Sequence, residues 1–421
     1  MKTAIYHGDI VYAATAEKLS VHRDSYLVVE DGFVRDIFPV LPEEYAALPV
    51  TDYGRGLIIP AFSDLHIHAS QYVQRGIGMD KLLFDWLNDY TFPQESRFAS
   101  MDYAKSVYDC VVADFLRHGT FHSSVFTTIH YDASSYLFRS MEDKGLYGYV
   151  GKVNMDRNSP DYLCESTEES LRETERFLEE HSGGSRVKPI LTPRFAPTCS
   201  EELLFGLGKL GQKYGCGLQT HLSESLAEVQ WTLELFPAYR SDGEIYQRAG
   251  LLDNGPSIFA HVIFPSEVDL EVIKGAGSIC VHCPDATTNV IAGIMPACNM
   301  AKDGIKLAMG TDVGAAPAVP VYRQIASAVR LSKLKEFYEP ENRKLSFAQA
   351  FYMGTKSGGS VFDRVGSLEK GYRFNALVLD GLDDCVTELS AEERLERFCY
   401  TGDDRNIIAR YLDGKEVSGL I

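Results

Sequence analysis

Two histidines one residue apart, His66 and His68, follow an apolar segment that is typical of a β-strand. Side chains two residues apart on a strand project from the same face, so we expect the two imidazoles to lie side by side. Neutral imidazole nitrogen is a preferred ligand of Zn²⁺, and one rigid strand would therefore present half of a metal site. For a motif this short, a pair of hydrogen-bonded polar residues at a strand end is the alternative interpretation.

Three further residues of metal-binding type also follow predicted strands: His221, His261 and Asp312. A single histidine after an apolar strand is more often a buried core residue than a metal ligand. Four histidines and one aspartate at the carboxyl ends of parallel strands would instead meet at one site. The sequence therefore predicts a metal site formed by His66, His68, His221, His261 and Asp312.

The elements that must position these residues alternate between strand-like and helix-like segments in the middle of the chain. Eight strands are predicted, at residues 57–66, 119–126, 147–153, 187–194, 216–221, 257–261, 278–282 and 305–311. Helices are predicted between them, for example at 103–117, 166–180, 201–214 and 225–235. This alternation is typical of a (β/α)8 barrel, whose functional residues lie at the carboxyl ends of its strands.

Strand-like segments also occupy both ends of the chain. They lie at residues 3–12, 25–30, 33–38, 376–380 and 407–412, and the pairs Asp31-Gly32 and Asp413-Gly414 predict tight hairpins. Because chain ends often lie close together, we expect one small domain built from both termini. The predicted fold is α/β: a TIM-type (β/α)8 barrel at residues 58–365, and a small β-sandwich formed by residues 1–57 and 366–421.

Composition restricts the classes of partner. The chain has 421 residues, of which 41 are Lys or Arg and 59 are Asp or Glu, giving a net charge of −18. This acidity argues against binding to nucleic acid or to an anionic membrane, since both require a basic surface. An odd number of cysteines, nine, without a compact framework favours a reducing compartment. With no apparent signal peptide or membrane span, the predicted location is cytoplasmic.

The ordered motifs Pro-x-x-x-Asp-x-His-x-His, Thr-His-x-x-Glu, Ala-His and Gly-Thr-Asp resemble the amidohydrolase superfamily of metal-dependent hydrolases. Five further stretches are similar to the subfamily whose members deaminate guanine, at residues 66–72, 85–93, 151–156, 192–195 and 400–407. The resemblance covers nearly the whole chain. It implies a hydrolase that converts guanine to xanthine and ammonia and that forms a homodimer.

The same resemblance implies one metal ion per subunit, Zn²⁺ or alternatively Fe²⁺, bound by His66, His68, His221 and Asp312. Binuclear members of the superfamily carry a carbamylated lysine at the end of the fourth strand. Here that end reads Thr192-Pro193-Arg194-Phe195. The absence of lysine from this position favours a single metal ion.

The resemblance also implies roles for residues beside the metal. Catalysis would involve Glu224, His261 and Asp312, and the purine would contact Gln71, Arg194, Phe195, His221 and Glu224. These roles fit the chemistry, because displacing ammonia from an aromatic carbon requires a hydroxide at neutral pH and a group that both donates and accepts protons. Arg194 offers planar donors to a ring carbonyl, and Phe195 offers a stacking face.

Other interpretations of these residues stay open at the level of sequence. Glu224 is also explained as an acidic residue in the first turn of a helix, and Phe195 as a core residue. Residues 285–289 and 313–320 depart from the guanine-deaminating pattern, so 8-oxoguanine, a pterin or a triazine is the alternative substrate. A non-catalytic scaffold with the same fold is a remote alternative, because such proteins have lost metal ligands that this chain retains.

Overall fold

The structure is a computed structural model and describes residues 2–383 and 386–420. Its strands are β1 Thr3–Tyr12, β2 Ser20–Glu30, β3 Phe33–Phe38, β4 Val50–Pro60, β5 Phe62–His68, β6 Thr120–Phe126, β7 Tyr147–Gly151, β8 Val153–Asn154, β9 Val187–Pro189, β10 Thr192–Pro193, β11 Leu218–Leu222, β12 Ser257–His261, β13 Ile279–His282, β14 Lys306–Met309, β15 Ala376–Leu379, β16 Ile407–Leu412 and β17 Lys415–Glu416. Its α-helices are α1 Leu83–Trp86, α2 Phe92–Ser96, α3 Met101–His118, α4 Tyr131–Asp143, α5 Thr167–His181, α6 Glu201–Tyr214, α7 Leu226–Leu235, α8 Asp242–Arg248, α9 Glu267–Ala276, α10 Pro284–Asn289, α11 Ala297–Lys302, α12 Val321–Tyr338, α13 Phe347–Tyr352 and α14 Ala391–Thr401.

Strands from both ends of the chain form one seven-stranded sheet in the order β17-β16-β15-β4-β1-β2-β3. The hairpin residues Asp31, Gly32, Asp413 and Gly414 all have positive φ angles, as a two-residue turn of this type requires. Within the described residues, strands near the two termini therefore lie in one sheet. Its strand β4 ends at Pro60.

The central part of the chain contains two parallel four-stranded sheets, β5-β6-β7-β9 and β11-β12-β13-β14. Every residue of β5, β6 and β12 is buried, as expected for parallel strands that are covered on both faces. Helices join successive strands, and several begin at a serine whose side chain accepts a backbone N–H, for example Ser200 before α6 and Ser266 before α9.

Backbone hydrogen bonds of residues that follow the outer strands connect the two parallel sheets on both sides. On one side, Leu191 N donates to Gly217 O at 3.0 Å, and Gln219 N donates to Leu191 O at 2.9 Å. On the other side, Asp312 N donates to His66 O at 2.8 Å, and His68 N donates to Val313 O at 3.0 Å. The second pair brings the segment after β14 against the end of β5.

The observed strands differ from the predicted ones where a strand is interrupted. The predicted strand 57–66 is the end of β4 followed by β5, with Ala61 between them donating its N–H to Asn375 O at 2.9 Å. The predicted strand 187–194 is divided into β9 and β10. A continuous apolar run does not reveal where the chain leaves one sheet and enters another, because both sheets bury it equally.

Among the described residues, no helix combines the length and the apolar character needed to cross a lipid bilayer.

Candidate active site

The five residues predicted to form a metal site meet at the carboxyl ends of the parallel strands. The His68 Nε2 and His221 Nε2 atoms are 3.1 Å apart, and Asp312 Oδ1 lies 3.3 Å from His66 Nε2 and 3.6 Å from His68 Nε2. His261 Nε2 lies 3.9 Å from Asp312 Oδ2. All five side chains are buried. We refer to His66, His68, His221, His261 and Asp312 as the His/Asp cluster.

Hydrogen bonds around the cluster orient its members. His221 Nδ1 lies 2.6 Å from Arg194 O; a carbonyl only accepts, so Nδ1 carries the proton and the lone pair of Nε2 faces the cluster. Asp64, two residues before His66 on the same face of β5, accepts the N–H of Thr311 at 2.9 Å. This bond fixes the turn that carries Asp312 against the strand that carries the two histidines.

The ionisation of the cluster favours cation binding. Burial, followed by the charge of Arg194, lowers the pKa of His66 to about 3, and burial followed by His66 lowers that of His221 to about 3. Neutral imidazole, the form that binds metals, is therefore present at neutral pH. Burial raises the pKa of Asp312 to about 7, and a bound cation would favour its ionised form instead.

The residues present fit a metal ion. His66 Nε2 is buried and has no hydrogen-bond partner among the described residues, although it points toward the other members of the cluster. An orphaned nitrogen of this kind costs free energy unless something occupies the space before it. Three or four imidazoles and one carboxylate form the donor set of borderline divalent metals.

Left-handed backbone conformations accompany the site. Ser223, His261, Val262 and Asp312 have φ angles of 51°, 72°, 50° and 53°. None is glycine, and two are β-branched or ring-bearing side chains for which this region is unfavourable. Such strain is typical of positions whose side chains are held in place for function.

Glu224 lies beside the cluster, with Oε2 3.8 Å from His261 Nε2. Its backbone N–H donates to Glu228 Oε2 at 2.9 Å, and both carboxyl groups are buried. Burial, followed by the charges of Glu228 and Asp312, raises the pKa of Glu224 well above its ordinary value. A raised carboxyl pKa suits a group that exchanges protons near neutral pH.

Three other predicted residues line the same pocket: Gln71, Arg194 and Phe195, which we call the recognition edge. Arg194 Nη1 donates to Glu95 Oε2 at 2.7 Å, and Gln71 Nε2 donates to Glu95 Oε1 at 3.0 Å. Phe195 is half-buried and meets Trp231 edge-on, with ring centroids 6.0 Å apart. The recognition edge thus combines polar donors with an aromatic face.

Apolar side chains from a segment after β5 complete the pocket. They are Leu83, Phe84, Trp86 and Leu87, and Ala315 contributes from the segment after β14. Residues 285–289 and 313–320, the two stretches that depart from the guanine-deaminating pattern, contact each other here: Asn289 Nδ2 donates to Ala315 O at 2.9 Å. A pocket of apolar walls with a few convergent polar groups is typical of a small-molecule site.

The structure brings the predicted site residues together: all of them line one pocket except His66, which contacts the cluster beside it. It also adds residues that sequence reasoning missed. Asp64 and Glu228 support the cluster and Glu224, and Glu95 supports the recognition edge. The spacing of Asp64 from His66 placed it on the same strand face and was a usable signal. Glu95 is a single acidic residue two positions after the matching stretch 85–93, and no local pattern distinguishes it.

The protein is of the α/β class, with parallel strands between helices and, at the carboxyl ends of those strands, a buried His/Asp cluster that could hold a metal ion. Residues 57–417 match the amidohydrolase family. The chain belongs to the amidohydrolase family.

Three relatives illustrate the similarity. The chain is 36% identical to a guanine deaminase of Rattus norvegicus, over 98% of this chain and 96% of the relative. It is 34% identical to a guanine deaminase of Dictyostelium discoideum, over 87% of this chain and 84% of the relative. A crystal structure of guanine deaminase from C. acetobutylicum with guanine bound in the active site is similar with a TM-score of 0.96 and 42% identity, over 99% of this chain and 100% of that one.

Proposed function

We propose that this protein is a guanine deaminase, which hydrolyses guanine to xanthine and ammonia. The observation that carries the proposal is one pocket lined by four members of the His/Asp cluster (His68, His221, His261 and Asp312), by the buried Glu224 and by the recognition edge. The similarity to guanine deaminases over nearly the full chain supports the choice of substrate. The enzyme is a hydrolase of carbon–nitrogen bonds in a cyclic amidine.

We infer that a single Zn²⁺ is the resident metal, with Fe²⁺ as the alternative, and that His66, His68, His221 and Asp312 hold it. The donor set of imidazoles and one carboxylate supports this assignment. When bound, the ion would supply Lewis acidity that lowers the pKa of water to about 7. The residues of the chain supply the remaining chemistry.

Proton transfer is assigned to Glu224. With its raised pKa, it donates a proton to the ring nitrogen of guanine as the attacked carbon becomes tetrahedral. The carboxylate so formed takes the proton of the hydroxyl group now on that carbon and passes it to the departing amine, and Glu224 regains its own proton from Asp312 at the end of the cycle. Asp312 accepts the proton of the attacking water, and His261 stabilises the oxygen that carries it. Each group lies within 4 Å of another in the cluster, which supports a shared task.

Substrate binding is assigned to the recognition edge together with His221 and Glu224. The guanidinium of Arg194 and the amide of Gln71 offer donors to the ring carbonyl and nitrogen, and Phe195 offers a stacking face. The apolar side chains around them exclude water and strengthen these polar contacts.

We also propose the architecture that positions this site. Backbone hydrogen bonds on both sides of the two parallel sheets support a closed (β/α)8 barrel at residues 58–365. Residues 1–57 and 366–421 form the second domain. The ring centroids of Tyr6 on β1 and Tyr411 on β16 are 4.8 Å apart, although two strands, β15 and β4, lie between β1 and β16 in the sheet. In a flat sheet these strands would be about three strand spacings apart, so the short distance supports a sheet that curls into a sandwich. The homodimer and the cytoplasmic location stay predictions.

The experiment that tests the proposal is ammonia release from guanine by the metal-loaded protein and by Glu224→Gln. We expect the variant to lose roughly 10³-fold in turnover, because the proton transfers lose their carrier, while its metal content is unchanged. Glu234→Gln, an exposed position on α7, the helix that begins two residues after Glu224, is the matched control and should retain activity. Undiminished turnover by Glu224→Gln would remove this residue from the mechanism. Guanine turning over far more slowly than 8-oxoguanine, a pterin or a triazine would overturn the choice of substrate.

A further inference from the structure

Glu95 is a buried acidic residue on α2, and both of its carboxylate oxygens are engaged. Oε2 accepts from Arg194 Nη1 at 2.7 Å; Oε1 accepts from Gln71 Nε2 at 3.0 Å and from Ser70 Oγ at 3.5 Å. Its side chain is 2% exposed, and the Arg194 side chain is 6% exposed. Glu95 is not among the described residues that line the pocket, whereas Arg194 and Gln71 are.

The helix that carries Glu95 holds the guanidinium of Arg194 in two ways. Glu95 supplies the opposite charge, and Phe92, three residues earlier, places its ring centroid 5.7 Å from Arg194 Cζ. The Oε1 atom of Gln71 accepts the N–H of Gly314 at 3.4 Å, so both ends of this amide are also held. Both polar members of the recognition edge therefore depend on one carboxylate for their orientation.

Glu95 also sets the charge of the recognition edge. Arg194 is the only Lys or Arg among the described residues that line the pocket. In a buried environment of low polarity, an unpaired guanidinium would attract anions strongly. Its ion pair with Glu95 leaves oriented N–H donors but little net positive charge, which suits a neutral heterocycle.

We propose that Glu95 is a specificity-determining positioning residue: it aligns Arg194 and Gln71 for the edge of a neutral purine and disfavours purine anions. The inference rests on the proposed function, because guanine is neutral at neutral pH. The second ring carbonyl of xanthine makes its N–H groups more acidic, so its anion forms at lower pH. By this arrangement the pocket accepts the neutral substrate and releases the anionic product.

The test compares Glu95→Gln with Glu95→Asp in the metal-loaded protein. Glu95→Gln removes the charge but keeps a side chain of the same length, with one oxygen and one NH2 group. We expect KM for guanine to rise about 10-fold and kcat to change much less. We also expect the xanthine anion to bind about 10-fold more tightly. Glu95→Asp keeps the charge but is too short to reach both partners. It should raise KM without tightening anion binding.

Binding can be measured without turnover, because the chain has two tryptophans and both are near the pocket. Trp86 lines it, and Trp231 contacts Phe195 and Phe84. Quenching of tryptophan fluorescence by xanthine across a pH series gives the affinity for the neutral and anionic forms. Glu165→Gln is the matched control: it makes the same change in another buried ion pair, with Lys152 at 2.7 Å, outside the described pocket lining. It should leave both KM and the anion affinity unchanged.

Two results for Glu95→Gln would overturn the inference. One is an unchanged ratio of the affinities for the xanthine anion and for neutral xanthine; the other is a lowered kcat for guanine with an unchanged KM. If Glu95→Gln does not fold, Glu95→Asp decides: an unchanged KM would equally overturn it. Absence of guanine turnover by the wild-type protein would contradict the proposed function alone, since the fluorescence comparison with xanthine would still test Glu95.

Discussion

The side chains of the His/Asp cluster lie on strands or shortly after them, whereas the recognition edge is oriented by a residue of a short helix that belongs to neither sheet. His66 and His68 belong to β5, and backbone hydrogen bonds join that strand to the segment carrying Asp312. Arg194 and Gln71 instead share Glu95, on the five-residue helix α2. A site on rigid elements is held more accurately than a site that depends on a connecting segment.

We propose that this difference separates chemistry from specificity. Moving a member of the His/Asp cluster requires a change in the paired strands, while moving the recognition edge requires only a change in α2 or its neighbours. We therefore expect substitutions in the cluster to abolish turnover and substitutions in the recognition edge mainly to alter substrate affinity. Two predictions test this separation.

The largest effect is expected for His66→Ala. The variant removes the imidazole whose Nε2 makes no hydrogen bond to the described residues, and we expect it to lose bound metal and at least roughly 10³-fold in turnover. Metal analysis of the purified protein together with ammonia release provides the measurement. A variant that keeps a full complement of metal, or wild-type protein that stays active after exhaustive chelation, would contradict the assignment of the cluster.

A smaller and different effect is expected for Arg194→Met. The variant keeps most of the volume but loses the donors to the purine, so KM for guanine should rise about 10- to 100-fold, while the metal content stays at the wild-type level. Arg157→Met is the matched control: this arginine stacks on Phe236 at 4.7 Å and is not among the described pocket residues. Loss of metal from Arg194→Met would show that the two sides of the pocket are not independent.

The same difference explains what could be predicted from the sequence. The ends of β1, β3, β12, β16 and α6 agree with the predicted ones, because alternating or amphipathic patterns and turn residues mark them locally. The cluster could be inferred because its residues follow apolar strands, and the carboxyl ends of parallel strands meet on one side of a sheet. In this part of the fold, a residue's place at the end of a strand is enough to predict which other residues lie near it.

The remainder depends on contacts between distant segments. Glu95 contacts Arg194 across 99 positions, and no periodicity predicts which acidic residue a buried arginine will meet. The change of sheet at Ala61 is equally invisible, because residues on both sides of it are buried and apolar. Strand pairing in space, and not local sequence preference, decides both features.

His122 provides a contrast with the cluster, because it is a buried histidine on β6, next to β5, whose ring nitrogens are both occupied. Asn375 Oδ1 accepts the N–H of Asp413 at 2.7 Å, so its Nδ2 donates to His122 Nε2 at 3.0 Å. His122 Nδ1 then donates to Ser63 Oγ at 3.1 Å, and Ser63 donates to Thr355 O. No nitrogen is left for a metal, and we expect His122→Gln to retain the metal content of the wild type.

The effect of His122 should appear in the pH dependence of stability. Burial lowers its pKa to about 3, below the ordinary 6.5, so the unfolded chain takes up a proton that the folded protein refuses. Its contribution to stability is therefore complete above pH 6.5 and is lost as the pH falls toward 3. Between pH 7 and pH 5, the free energy of unfolding should fall by about 2 kcal/mol less in His122→Gln than in the wild type, as measured by denaturant unfolding.

Ser63→Ala is the control, because it removes a hydrogen bond but not the titrating group; its loss of about 1 kcal/mol should be equal at both pH values. An equal pH dependence in His122→Gln and the wild type would mean that this histidine is not held neutral.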